Sequence, residues 1–549
     1  MMPSPSPSRW PNSAIIVTVI LGLVVLMLGG LAVVMAVRMS QLNEELAATR
    51  SDVDQAEARI ADLEQKLAAA ESSAGDIGSL LGDLLGGGGS GDLGIEDLLG
   101  LLGGDSQGLS GLEDLLGGLL GGQSGDSGGL GSLLESLGQS GGLGSCLGTP
   151  GSYQITDASL EAQVDDIGRA VEDLRGLTFP SEIEPVFVSP DEMAERVRNL
   201  VEDGYPQAVE DFDTRLLVAL GMIDPGYDLR SAQLDLLDTG VAGYYSGETG
   251  ELVVATADDS RPLGAIDQIT LAHEMIHALT DARLGLPESI EDPNGDPEII
   301  RAQQALIEGD ATLGMQQFSL GALGLDEQLA MLTDPRLLGA PLEAGRFPYV
   351  LSNGLQLPYI EGMSFTCALY ADGGWAAVDA AYDDPPTNTS QILFPERYLV
   401  ERVEAADPGP LEDPGAGWDP VRVTGFGAVD LLMLFSAPGD DPTAALNDPR
   451  ERARAWAGGL VGVWSRDADT VAGISLVDNG EGSESLCDSM VTWEMAAFPN
   501  ADDQPLRGTE QLAHSSDGRS AVIACEGDDV RIGIGPDLDT SRTVASGRS

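Results

Sequence analysis

Residues 271–280 read "LAHEMIHALT" and hold two of the three histidines in a chain of 549 residues. His273 and His277 stand four apart, with Glu274 directly after the first. On a helix advancing about 100° per residue, the two imidazoles lie about 40° apart and project in one direction. Two imidazoles one turn apart can chelate one divalent ion, and the glutamate between them can reach a water at an open coordination position. Ile269, Ala272, Ile276 and Leu279 form an apolar stripe beside the motif, and Leu271, Met275 and Ala278 continue it around the helix. The helix is expected to be buried, with its polar face turned towards a cleft. A structural metal, or two histidines packed in a core, would give the same spacing without chemistry.

Zinc needs a third protein ligand. The metzincin extension is excluded, because Thr280 and Arg283 stand where that pattern requires glycine and histidine. His514, the remaining histidine, lies in a polar "HSSDG" stretch and is expected at the surface. A carboxylate must therefore serve. Glu308, in the helical stretch "IIRAQQALIEGDATLGMQQF", follows His277 by 31 residues, and Asp310 is the alternative ligand. Asp310, Thr312 or Asp281 could instead orient a metal-bound imidazole through its far nitrogen. Such a site also needs a donor for a developing oxyanion; Tyr359 in "LPYIEG" is the candidate, with Tyr349 and Arg346 behind it.

Outward from the motif, "VAGYYSGETGELVVAT" reads as a hairpin feeding the motif helix. Upstream, "TDASLEAQVDDIGRAVEDLRGL" and the stretch opening at Ser189-Pro190-Asp191 have helical periodicity. Downstream, "TVAGISLV" and "SAVIACEG" are strand-like. Cys487 and Cys525 share this C-terminal part and could be bridged or free; no spacing of a zinc finger occurs among the four cysteines.

The first third of the chain has a different character. Residues 14–37 form an uncharged apolar run of 24 residues, about 36 Å long as a helix and enough to span a bilayer. It reads as a retained membrane anchor, with residues 1–13 a short cytoplasmic tail. Met39, Leu46, Val53, Ile60 and Leu67 alternate with Leu42, Thr49, Ala56, Leu63 and Ala70 in a heptad seam. A stalk over 38–72 follows, either a homodimeric coiled coil through residues 39–70 or a single amphipathic helix. Residues 73–152 repeat "DLLG" and "GGLG" units, a disordered Gly/Leu/Ser-rich tether spanning on the order of 50 Å as a coil. Asp+Glu at 89 against Lys+Arg at 28 give a formal charge of −61, which repels nucleic acids. The acid-free tail and acidic bulk place the body outside the cell membrane.

"LAHEMIHAL" followed by "ALIEGDAT", "LPYIEGMSF", "GGWAAVDAAYDDPPTNTSQILFPERYL" and "AWAGGLVGVW" resembles a group of largely uncharacterised prokaryotic zinc metallopeptidases of the gluzincin type, over roughly Arg175 to Trp493. The resemblance implies an α+β, zincin-like metallopeptidase domain at 153–404. It also implies Zn2+ held by His273, His277 and Glu308, with Glu274 as catalytic base and a peptide or protein as substrate. Residues 405–549 form a C-terminal segment expected to be partly continuous with that unit, with a disordered end. The chain departs from the family at Thr280-Asp281-Ala282, where Gln-Asp-Gln is frequent, and at Phe394, where histidine is common. Thr312 stands where the thermolysin-like pattern has aspartate. The expected function is hydrolysis of peptide bonds outside the cytoplasm by a membrane-anchored enzyme. The competing expectation is a non-catalytic envelope module that binds metal for stability or partner interaction.

Overall fold

The computed structural model describes Cys146 and residues 151–546, apart from 239–240, 257–261, 293, 332–333, 335–345 and 517. The apolar run at 14–37, the heptad seam and nearly all of the Gly-rich segment lie outside the described residues. Among the described residues, no helix is long and apolar enough to cross a membrane.

The architecture is α+β, with two separate sheets. The main helices are α1 (Leu160–Arg175), α2 (Pro190–Gly204), α3 (Gln207–Ala219), α4 (Leu229–Asp238), α5 (Ala265–Leu284), α6 (Pro297–Ala322), α7 (Tyr349–Gly373), α8 (Trp375–Asp383), α9 (Thr389–Leu393), α10 (Ala428–Ser436), α11 (Leu486–Ala497) and α12 (Leu538–Ala545). Helix starts follow local chemistry. Ser159 and Ser189 accept hydrogen bonds from the Ala162 and Glu192 amides, and Pro190 sits in the first turn of α2, where its missing N–H costs nothing.

The smaller sheet has the order β1 (Val186–Val188), β3 (Glu251–Ala255), β2 (Gly243–Ser246). β2 and β3 are the expected hairpin, with Tyr244 opposite Val253 and Tyr245 opposite Leu252. Gly250 closes the turn at φ 68°, a left-handed conformation that favours glycine. β1 runs parallel to β3, so β3 is flanked on both sides and β2 is an edge.

Immediately after this hairpin comes α5, buried on every side from Ile266 to Thr280 apart from Asp267. The polar face does not reach solvent as its pattern suggested: His273, Glu274 and His277 are buried, with Glu308 of α6, Tyr359 of α7 and Gly243 of β2 against them. These two helices touch backbone to backbone. A Cβ on Gly309 of α6 would overlap the Gly362 carbonyl of α7, and one on Gly362 would overlap the Ala305 carbonyl. Pro358 lies inside α7, removing one intrahelical hydrogen bond four residues before this crossing.

The larger sheet is antiparallel throughout, in the order β4 (Asp419–Gly425), β5 (Trp456–Arg466), β6 (Asp469–Asp478), β10 (Asp529–Gly535), β9 (Arg519–Glu526), β8 (Glu510–Ser516), β7 (Asp502–Asp503). The two strand-like stretches noted in the sequence are β6 and β9. α10 and α11 share a core with this sheet, built around Trp456, Trp493, Phe435 and Ile523. α12 packs through Val544 against Trp464 and Val471. Cys487 of α11 is bridged to Cys525 of β9, and Cys146 to Cys367 of α7; among the described residues no cysteine is free.

Two of the contacts between the sheet module and the helices lie on α6 and α7. Arg450 pairs with Glu361 of α7. Glu298, in the first turn of α6, accepts from the Thr389 amide at 2.6 Å and the Thr389 hydroxyl at 2.8 Å, and Gly427 leaves the room for its carboxylate. Burial and the nearby Asp430 carboxylate raise the Glu298 pKa to about 8, against the opposing Thr389 bonds.

Two measurements check this packing. Gly362→Ala should lower unfolding free energy by about 3 kcal/mol, because helix backbones must separate. Gly354→Ala, at an exposed helical position with nothing nearby, should raise it by about 0.5–1 kcal/mol. Both can be read from urea unfolding. The folded chain holds the Glu298 proton more tightly than the unfolded chain does, so the stability from this group is present below its ordinary value of 4.5 and lost as pH rises through about 8. Glu298→Gln should remove that loss, so melting curves of the two proteins should converge in acid and separate in alkali, with the variant higher.

Candidate metal centre

α5 carries His273, Glu274 and His277 within one turn, and α6 presents Glu308 to the same face. The Nε2 atoms of the two histidines lie 3.0 Å apart, and Glu308 Oε2 lies 3.3 Å from each. Zinc bound tetrahedrally at about 2.0–2.1 Å places its donors about 3.3 Å from one another. The three donors therefore span one face of such a tetrahedron, and this buried group can hold a metal ion.

The electrostatics agree with that use. Burial lowers the His273 pKa to about 4, with the neighbouring His277 adding to the shift and Glu308 opposing it. Burial alone would raise Glu308, but the two imidazoles outweigh it and bring the carboxyl to about 2. A neutral imidazole and an ionised carboxylate are the forms that bind metal. Both histidine Nδ1 atoms are buried.

The other sequence candidates separate. Tyr359 of α7 stands beside the site, its ring centroid 6.2 Å from that of His273. Tyr349 packs instead into the core of the sheet module, and Arg346 is exposed. Asp281 is taken by the Tyr245 hydroxyl at 2.7 Å. His514, expected at the surface, is largely buried on β8, where it pairs with Asp503 at 3.0 Å; strand pairing carries it inward despite its polar neighbours.

Asp310 does not join the donor group, because Oδ2 accepts from Arg175 at 3.0 Å and from the Tyr382 hydroxyl at 2.9 Å. Arg175 also bonds Asp379 at 2.8 Å and lies over the Trp375 ring, 4.0 Å from its centroid. This buried network, drawn from α1, α6 and α8, was not legible in the sequence. Its members are spread over more than two hundred positions, and only folding makes them neighbours.

Burial is the other feature of the site. His273 and Glu274 are 0 % exposed, Glu308 1 % and Tyr359 2 %. Edge strand β2 begins against Glu274, since a Cβ on Gly243 would stand 3.0 Å from its Oε1.

Comparison with family models, curated proteins and solved structures finds no match to this chain.

Glu308→Ala should abolish stoichiometric metal binding. Asp310→Ala should keep one ion per chain but lose about 3 kcal/mol of stability, because a buried guanidinium loses a partner. Atomic absorption on dialysed protein and urea unfolding of the metal-free chain give the two readings.

Proposed function

We propose that the chain is a zinc-dependent, zincin-like metallopeptidase, anchored in the cell membrane by residues 14–37 with its body outside the cytoplasm. The observation that carries this reading is Glu274, wholly buried and next in sequence to His273, one of three donors spaced as the face of a zinc tetrahedron. A metal held for stability alone has no need of a carboxylate at that place. The two disulfides support an extracytoplasmic body, because such bonds persist in oxidising compartments.

His273, His277 and Glu308 would hold the zinc, which supplies Lewis acidity and lowers the pKa of a bound water. Glu274 then takes the proton of the water that attacks the scissile carbonyl and returns it to the leaving amine. Tyr359 donates its hydroxyl to the oxygen that becomes negative. The substrate is a peptide or protein, and pairing of an extended segment along the free sheet edge of β2 requires uncovering its four buried residues. β3 has both edges occupied, by β1 and β2.

One observation favours the competing reading, a metal-bound envelope module without catalysis: the donors and the base are almost wholly buried. The two readings part on one experiment. The zinc-loaded full chain should hydrolyse an unstructured protein and lose this on chelation. Glu274→Gln should keep one zinc per chain and lose turnover by at least about a thousandfold, close to 4 kcal/mol of barrier. Metal-dependent melting without hydrolysis by the native chain would leave the module reading standing, and full turnover by the Gln variant would remove the base from the mechanism.

A further inference from the structure

Gly243, the first residue of β2, has no conformational reason to be glycine. Its backbone is extended and its φ is not positive, so any residue could adopt it, and glycine in a strand costs stability. Its surroundings supply the reason. A Cβ at this position would lie 2.9 Å from Thr270 Cγ2, and 3.0 Å from both Cγ and Oε1 of Glu274. Thr270 stands one turn before Glu274 on α5, and both are 0 % exposed. The strand backbone is therefore pressed against the side chain of the base.

We propose that Gly243 is a positioning residue: its missing side chain lets edge strand β2 hold the Glu274 carboxylate in place for proton transfer. This inference rests on the peptidase reading and deepens it. The two side chains that an added methyl would strike respond differently. Thr270 is β-branched and stiff at χ1, so its methyl group resists and the strand must move. The Glu274 carboxylate is the far end of a flexible chain, so it turns aside at little cost in stability. A methyl on residue 243 thus penalises folding mainly through Thr270 and proton transfer mainly through Glu274. None of the three atoms nearest to it belongs to His273, His277 or Glu308, and metal binding is preserved.

The experiment compares the full native chain, Gly243→Ala, Thr270→Ser and the double variant, each loaded with Co2+ for its visible spectrum and with Zn2+ for turnover of an unstructured protein. Gly243→Ala should bind one equivalent of Co2+ with the native spectrum, and its kcat should fall at least about tenfold, with KM within about twofold. Its metal-free melting temperature should also fall. Thr270→Ser provides the single-variant reference. The double variant, relieved of the threonine methyl, should regain the melting temperature of that reference while kcat stays low. Recovery of kcat together with stability would reduce Gly243 to a packing residue and overturn the inference, as would native kcat in Gly243→Ala. A native chain that takes up Co2+ yet hydrolyses nothing would instead sink the peptidase reading, and this inference with it.

Discussion

The backbone contact between α6 and α7 is the constraint on which the centre depends. Gly309 directly follows Glu308, and Gly362 lies three residues beyond Tyr359. Because the two glycines let the helix backbones touch, one crossing fixes both a metal donor and the candidate oxyanion donor relative to α5. A side chain at either glycine would push the pair apart, and the 3.0–3.3 Å spacing of the three donors tolerates little displacement. The sheet module stiffens the same pair from outside. Arg450 holds Glu361 on α7, and Thr389 and Gly427 seat Glu298 at the start of α6. Cys367, five residues beyond Gly362, ties α7 to Cys146.

Burying this many ionisable groups is expensive, and the structure offsets the cost by grouping them. Glu308 has two imidazoles, whereas Asp310, only two residues later on the other side of α6, has Arg175 and Tyr382. The helix thus separates a donor carboxylate from a structural one by turning about 200° between them. Arg175 lies in the last turn of α1, where a cation also complements the helix dipole. Asp379 and the face of Trp375 complete its surroundings.

Much of this was readable along the chain where the signal is local. The four-residue histidine spacing, the hairpin before it, the Ser189 start of α2, and the strands later found as β6 and β9 all rest on periodicity or on a side chain reaching a nearby backbone group. Glu308 was legible as a carboxylate at a fitting distance downstream. The pairing of Cys487 with Cys525 was open, and that of Cys146 with Cys367 was not foreseen, since a separation of 221 residues carries no local mark. Repetition of "IEG" in "LIEGD" and "YIEGM" was the available signal for the helix crossing.

By itself the sequence determined the motif helix, the hairpin before it and a short set of candidate ligands, because backbone geometry converts spacing into direction. Tertiary structure decided which candidates meet. It brought Glu308 to the histidines and turned Asp310 away to Arg175; it gave Asp281 to Tyr245 and carried Tyr359 to the site. It also folded the polar face of α5 inward. A helix pattern states which residues share a face but not what covers that face, and here the cover comes from two glycines that allow neighbouring helices to approach until their backbones touch.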